Sequence, residues 1–302
     1  MTSELFSSPG RFWRGNLHTH STLSDGYLPP EQVCAFYREA GYDFLALTDH
    51  FMERYDYPIA DTRPYRTPQF TTILGAELHT GQTQLGHLWH ILAVGLPTGF
   101  APNLPGETGP QIAARTLEAG AFVAAAHPSW YGLTEEDIRS LGAIHAVEIF
   151  NGTSIDHNDK PDSWSLLELL LMRGERYSAC ATDDAHFKPE RSDKVRGWVY
   201  VRSKSLEPEP LLEALKAGAY YSSTGPQIHD IQVLPEEKIC VRCSPASRIF
   251  VTGYGATATS AYGNGLAEAE LSLRALASSP YFRVTVRDDQ GGRAWSNPIW
   301  RK

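Results

Sequence analysis

From residue 14 to about 200, short apolar runs alternate with segments whose apolar positions recur at helical spacing. Pro29-Pro30-Glu31 marks a helix start, Val33, Phe36, Tyr37 and Ala40 fall on one helical face, and Gly41 closes the segment. Phe44 to Leu47 is a continuous apolar run, the pattern of a strand buried on both faces. The same reading predicts helices over 111–119, 135–141, 164–172 and 208–217, and strands over 122–126, 146–150 and 177–182. This β/α alternation implies a parallel sheet, either open or closed into a barrel.

The texture changes after about residue 200. Predicted strands follow at 228–233, 238–243, 248–252, 269–273 and 281–287, with turns expected at Gly253-Tyr-Gly255 and Gly263-Asn-Gly265. The expected organisation is a β/α unit over residues 1–225 and a small C-terminal β-sandwich over 226–302. Residues 97–110, rich in Pro and Gly, and residues 51–70, which hold Arg54, Tyr55 and Arg66, read as loops.

Composition narrows the function classes. Lys and Arg number 27 against 35 Asp and Glu, a net charge of −8, so the surface has no general attraction for polyanions. A phosphate or nucleic-acid substrate must be captured locally. Four cysteines are present, and Cys240-Val-Arg-Cys243 lacks a second CxxC, so reduced thiols on a strand are expected. The start of the sequence shows no signal-peptide pattern, and no apolar stretch approaches the ~20 residues that span a bilayer. A cytoplasmic protein without membrane contact is the expectation.

The chemistry concentrates at predicted strand ends. His18 and His20, two apart, face one side of an extended segment, and Asp25 follows a short turn later. His50 follows the run 44–47 in Thr48-Asp49-His50, Glu77 closes Thr72-Ile-Leu-Gly-Ala-Glu77, and His90 lies within Leu88 to Val94. His127 follows Val123-Ala-Ala-Ala, and Asp183, Asp184 and His186 follow Ser178 to Thr182. In a parallel β/α barrel these ends converge on one mouth. Clustered ionisable groups are costly to bury unless paired or metal-bound, and imidazoles with carboxylates suit Zn, Mn or Fe. His79, His87, His145, His157 and His229 are read as ordinary hydrogen-bonded histidines.

The ordered set His18-x-His20 with Ser24-Asp25-Gly26, Thr48-Asp49-His50, Gly75-Ala-Glu77, Ala126-His127-Pro128 and Asp183-Asp184-Ala185-His186 resembles the PHP family, named for polymerase and histidinol phosphatase. The resemblance implies a distorted seven-stranded (β/α) barrel with two or three divalent metal ions at its mouth. It implies His18, His20, Asp25, His50, Glu77, His90, His127, Asp184 and His186 as ligands, with Glu77 bridging two ions and Asp25, Glu77 and Asp184 central to catalysis. Asp183 stands where Ser is more common. Glu148-Ile-Phe-Asn151 resembles a recurring strand end, which puts Asn151 near substrate. Gly197 to Val201, Tyr221 to Pro226 and Ala294 to Ile299 resemble a subgroup with an appended β-domain that includes hydrolases of carbamate esters such as carbaryl.

Phosphoester hydrolysis ranks first: metal ions activate water and offset charge on the attacking and leaving oxygens, and Lys188, Arg191, Lys194 and Arg196 are candidate phosphate-binding cations. Small phosphoesters and nucleotides precede short single-stranded oligonucleotides, cut from the 5′ end, as expected substrates. Hydrolysis of a carbamate or carboxylic ester is the alternative. An inactive metal-binding module ranks last, because every expected ligand position is filled.

Overall fold

The computed structural model describes residues 4–301. Sixteen strands are present among them. In chain order they are β1 (Arg11–Asn16), β2 (Phe44–Leu47), β3 (His50–Phe51), β4 (Thr71–Leu78), β5 (Ile91–Val94), β6 (Phe122–Ala125), β7 (Ala146–Asn151) and β8 (Ser178–Thr182). They continue with β9 (Trp198–Ser203), β10 (Tyr220–Ser223), β11 (Ile228–Leu234), β12 (Lys238–Gly253), β13 (Ala258–Ser272), β14 (Tyr281–Arg287), β15 (Arg293–Ser296) and β16 (Ile299–Trp300). Helices Pro30–Glu39, Gly109–Glu118, Glu135–Ser140, Trp164–Met172 and Pro208–Lys216 fall where the apolar spacing predicts them.

The architecture is mixed α/β, but the expected closed barrel is not formed. The hydrogen-bonded path runs β11-β12-β14-β15-β10-β9-β1-β2-β4-β5-β6-β7-β8 and stays open at β8. Near that end the chain meets β1 and its continuation through the Asp183 amide, which donates to Asn16 Oδ1, and a parallel bridge between Thr19 and Ala185. The expected all-parallel order also fails. β5 runs antiparallel to both β4 and β6, and β9 runs antiparallel to β1 and β10. For β4 and β5 the physical reason lies in the connection. Residues 79–90 between β4 and β5 contain no helix, and a parallel crossover needs a dozen or more residues, usually with one.

The core follows the same logic. β2, β5 and β6 are buried at every position. Leu17, Phe44, Ala46, Leu92, Phe122 and Val199 pack in one apolar cluster, while Ala76, Ile91, Val123, Val147, Leu167 and Leu170 pack in another. Gly75 allows the tight approach of β4 to β5, since a Cβ there would lie 2.5 Å from the Ala93 carbonyl oxygen.

The C-terminal strands continue the same sheet, because β15 pairs with β10. The two predicted strands 238–243 and 248–252 are one strand, β12, with register breaks between Arg242 and Arg248. Gly263-Asn-Gly265, expected as a turn, lies inside β13. No helix of the described residues is long and apolar enough to cross a membrane.

Candidate metal centre

Glu77 sits near the end of β4, wholly buried, with histidines on all sides. Its Oε2 lies 3.6 Å from His18 Nε2, 3.7 Å from His20 Nε2, 2.6 Å from His50 Nδ1 and 3.4 Å from His79 Nε2. Its Oε1 lies 2.7 Å from His90 Nδ1 and 3.0 Å from His127 Nε2.

Local structure explains each placement. The segment after β1 stays extended between two neighbours: the Thr48 amide donates to the Thr19 carbonyl, and the Asp184 amide to the His18 carbonyl. His18 and His20 therefore share a face. Asp49 accepts from the Ser21 amide and from the hydroxyls of Ser21 and Ser24, which shapes the turn that carries Asp25. Gly26 closes that turn, where a Cβ would meet the His20 carbonyl at 2.6 Å. Asp25 Oδ1 then stands 3.3 Å from both His50 Nε2 and His186 Nε2. His90 precedes β5, and the antiparallel course of that strand puts its start at the same end as Glu77. His127 and Asp184 hold positive φ angles of 28° and 52°, uncommon backbone for residues with a Cβ.

The nine ligands implied by the sequence are brought together, and they form overlapping groups whose donor atoms lie within 4.8 Å of one another. One group is His20, Asp25, His50 and His186; a second is His18, His127 and Asp184; Glu77 is shared by three more. One of those three contains His79, which the sequence reading set aside. The signal was the spacing Glu77-x-His79, the same two-residue step as His18 to His20.

The two aspartates of the last motif separate cleanly. Asp184 Oδ1 is 2.9 Å from His20 Nε2 and 3.3 Å from His18 Nε2. Asp183 instead accepts the amides of Val195, Arg196 and Gly197 and the Tyr37 hydroxyl. Burial lifts its pKa to about 6 against those donors. Asn151 lies behind the ligands rather than at the cleft, donating to Glu148 and Asp184.

Glu148 was noted in the sequence only as part of a strand-end motif. Wholly buried, it faces His18 Nδ1 at 2.9 Å and accepts the His127 amide and the Thr182 hydroxyl. A carboxylate behind a ligating imidazole fixes its tautomer and raises its basicity. Glu148→Gln is expected to weaken metal affinity by about 10- to 100-fold, read by competition with a chromogenic chelator. An unchanged affinity would remove Glu148 from this role.

Electrostatics sort the imidazoles. Burial opposes the charged form of His50, but Glu77 and Asp25 outweigh it and raise the pKa to about 10. Burial and the neighbouring His50 and His186 drop His20 to about 3, and burial with His79 drops His90 to about 3. Glu77 stays ionised despite its burial because His90, His50, His79 and His18 surround it.

The residues fit divalent ions. His18 Nε2, Asp25 Oδ1 and Glu77 Oε2, which face the centre of the cluster, are buried without a hydrogen-bond partner. Buried polar atoms are normally satisfied, and hard or borderline cations satisfy this donor set.

The cluster floors an open cleft of about 420 Å³. Its walls include Trp130, Tyr131 and His157, and its rim carries Arg54, Lys188 and Arg191. Lys188 Nζ is 4.0 Å from Asp25 Oδ2. Two of the proposed phosphate-binding cations are not there. Arg196 turns back onto the Ser192 carbonyl and hydroxyl, and Lys194 onto the Arg191 carbonyl and Asp193. Residues 97–110 do not line the cleft either; Asn103 supports it from behind through the His79 carbonyl.

No family model and no curated protein matches this chain. Solved structures do. A crystal structure from Bacteroides vulgatus, of a two-domain protein containing a predicted PHP-like metal-dependent phosphoesterase, matches with a TM-score of 0.54 at 13% identity, over 96% of each chain. A protein from Bifidobacterium adolescentis whose name proposes a metal-dependent phosphoesterase matches at 14% identity and a TM-score of 0.45, over 58% of this chain and 89% of its own. An amidohydrolase from Chromobacterium violaceum, with bound sulfate and no metal, matches at 18% identity and 0.43, over 57% and 87%. From end to end, the chain thus shares the fold of the two-domain PHP-like protein of Bacteroides vulgatus.

Proposed function

We propose that this chain is a metal-dependent phosphoesterase acting on small phosphoesters or mononucleotides. The observation that carries the reading is a buried carboxylate, Glu77, ringed by six histidines beneath a rim of three cations, Arg54, Lys188 and Arg191. Two or three divalent ions would be held by His18, His20, Asp25, His50, Glu77, His79, His90, His127, Asp184 and His186. Such ions supply Lewis acidity, making water nucleophilic at neutral pH and offsetting charge on the phosphoryl oxygens.

The chain's own residues do the remainder. Glu148 and Asn151 fix the orientation of His18 and Asp184. Lys188 and Arg191 grip the non-bridging oxygens of the substrate, and a net charge of −8 on the chain disfavours a long duplex. Trp130, stacked on His157 with ring centroids 4.5 Å apart, offers an aromatic wall to a base or aryl group. Tyr131 keeps its proton, because burial and the charges of Glu77 and Asp184 raise its pKa, so its hydroxyl serves as a donor.

The test is turnover of p-nitrophenyl phosphate, bis-p-nitrophenyl phosphate, AMP, a short oligonucleotide and an aryl N-methylcarbamate, each with Mn, Zn and Fe. Metal-dependent phosphate release is expected, and Lys188→Ala and Arg191→Ala should each raise KM about tenfold, the loss of one charge-assisted hydrogen bond. Carbamate turnover with all phosphates silent would overturn the reading.

A further inference from the structure

The C-terminal strands wall a second cavity, and we propose that it binds the phosphate group of a small phosphorylated molecule without help from metal ions. Strand alternation creates it. Ile249, Val251, Val284, Val286 and Ala294 turn one way into an apolar cluster and are fully buried. Their neighbours turn the other way. Register sets Phe250 opposite Thr285, Thr285 opposite Trp295, and Arg287 opposite Arg293. With Arg283, and with Asp162 and Trp164 at the start of helix Trp164–Met172, these side chains enclose about 260 Å³.

Charge identifies the occupant. Three arginines and one aspartate line this cavity in a chain whose net charge is −8. Arg283 is committed to structure: it pairs with Glu168 at 3.3 Å, bonds Thr285 and covers the Trp164 ring at 4.1 Å. Arg293 has only a loose contact with Asp162 at 3.9 Å. Arg287 has no carboxylate within ion-pair distance among the described residues. Two like charges directly opposite on paired strands are destabilising, and an oxyanion between them converts that cost into paired hydrogen bonds. Guanidinium groups match phosphate oxygens two at a time, and the flanking Trp164, Trp295 and Phe250 shield those bonds from water. No residue lines both this cavity and the metal cleft, so binding here stands independently of the proposed catalytic function.

The test is isothermal titration calorimetry on the full chain, as purified and after chelation, with inorganic phosphate, AMP and uncharged adenosine. Phosphate and AMP are expected to bind saturably after chelation, and adenosine is not. Arg287→Gln and Arg293→Gln should each weaken binding about tenfold or more. Arg293, with a side chain 44% exposed, provides a variant that leaves the core untouched if Arg287→Gln fails to fold. Absence of saturable phosphate binding, equal binding of adenosine and AMP, or full binding in the double variant would overturn the proposal.

Discussion

Glu77→Gln is expected to lower kcat/KM on the best phosphoester by on the order of 10³-fold, with a parallel loss of bound metal. The substitution keeps the size of the side chain and removes its charge. That charge is what six imidazoles face, at 2.6 to 3.7 Å. Ions acting on a phosphoryl group supply several kcal/mol of transition-state stabilisation, and about 4 kcal/mol corresponds to roughly 10³ in rate. Metal content by plasma mass spectrometry reads the loss of ions, and a melting temperature equal to that of the chelated parent protein separates it from a folding defect. A variant that keeps both metal and activity would show that Glu77 is not the shared ligand.

The second large effect is on stability. Ions that bind the folded chain alone stabilise it by about 4 kcal/mol when present at about a thousand times their dissociation constant. For a chain of 302 residues that is about 6 °C in Tm, from the usual unfolding entropy per residue. Chelation should remove it. The pH dependence has a definite sign. Without ions, the folded state raises the pKa of His50 to about 10 and raises those of His18, His127 and His186 as well. Stability from those protons is present below an unfolded value near 6.5 and is lost as pH climbs through the folded values. Ions need the same nitrogens unprotonated. The gap in Tm between metal-loaded and chelated protein should therefore widen from pH 6 to pH 9, and metal uptake at pH 7 should release protons. A gap that narrows over this range would contradict the assignment of these imidazoles as ligands.

Much of this site could be read in advance because several of the ligands follow an apolar run. His50 after Phe44 to Leu47 and His127 after Val123 to Ala126 are polar groups attached to the most buried strands in the chain. What escaped the reading had a physical cause in each case. A four-residue run such as Ile91 to Val94 carries no direction, so the antiparallel course of β5 was invisible, and with it the reason His90 reaches the mouth. His79 is spaced from Glu77 like a ligand pair, but a single histidine just beyond a strand is the commoner case of a hydrogen-bonded side chain. Arg196 lies close to His186 in sequence, yet its guanidinium is spent on Ser192, a partner that only the folded loop supplies. The closed barrel is what the family resemblance implies, and the β/α alternation that accompanies it constrains neighbours rather than the meeting of the first and last strands.

The antiparallel pairing of β4 with β5 bears on how the protein reaches its native state. Glu77, His79 and His90 span only residues 77–90, at the joined ends of two strands that pair directly. Closing so short a loop costs little chain entropy, and such local contacts form ahead of distant ones. His18 and His186 must instead be gathered from opposite ends of the β/α region. Assembly of the centre is thus expected to begin at this hairpin, with His50 or His127 completing the first group of donors as the rest of the sheet is recruited.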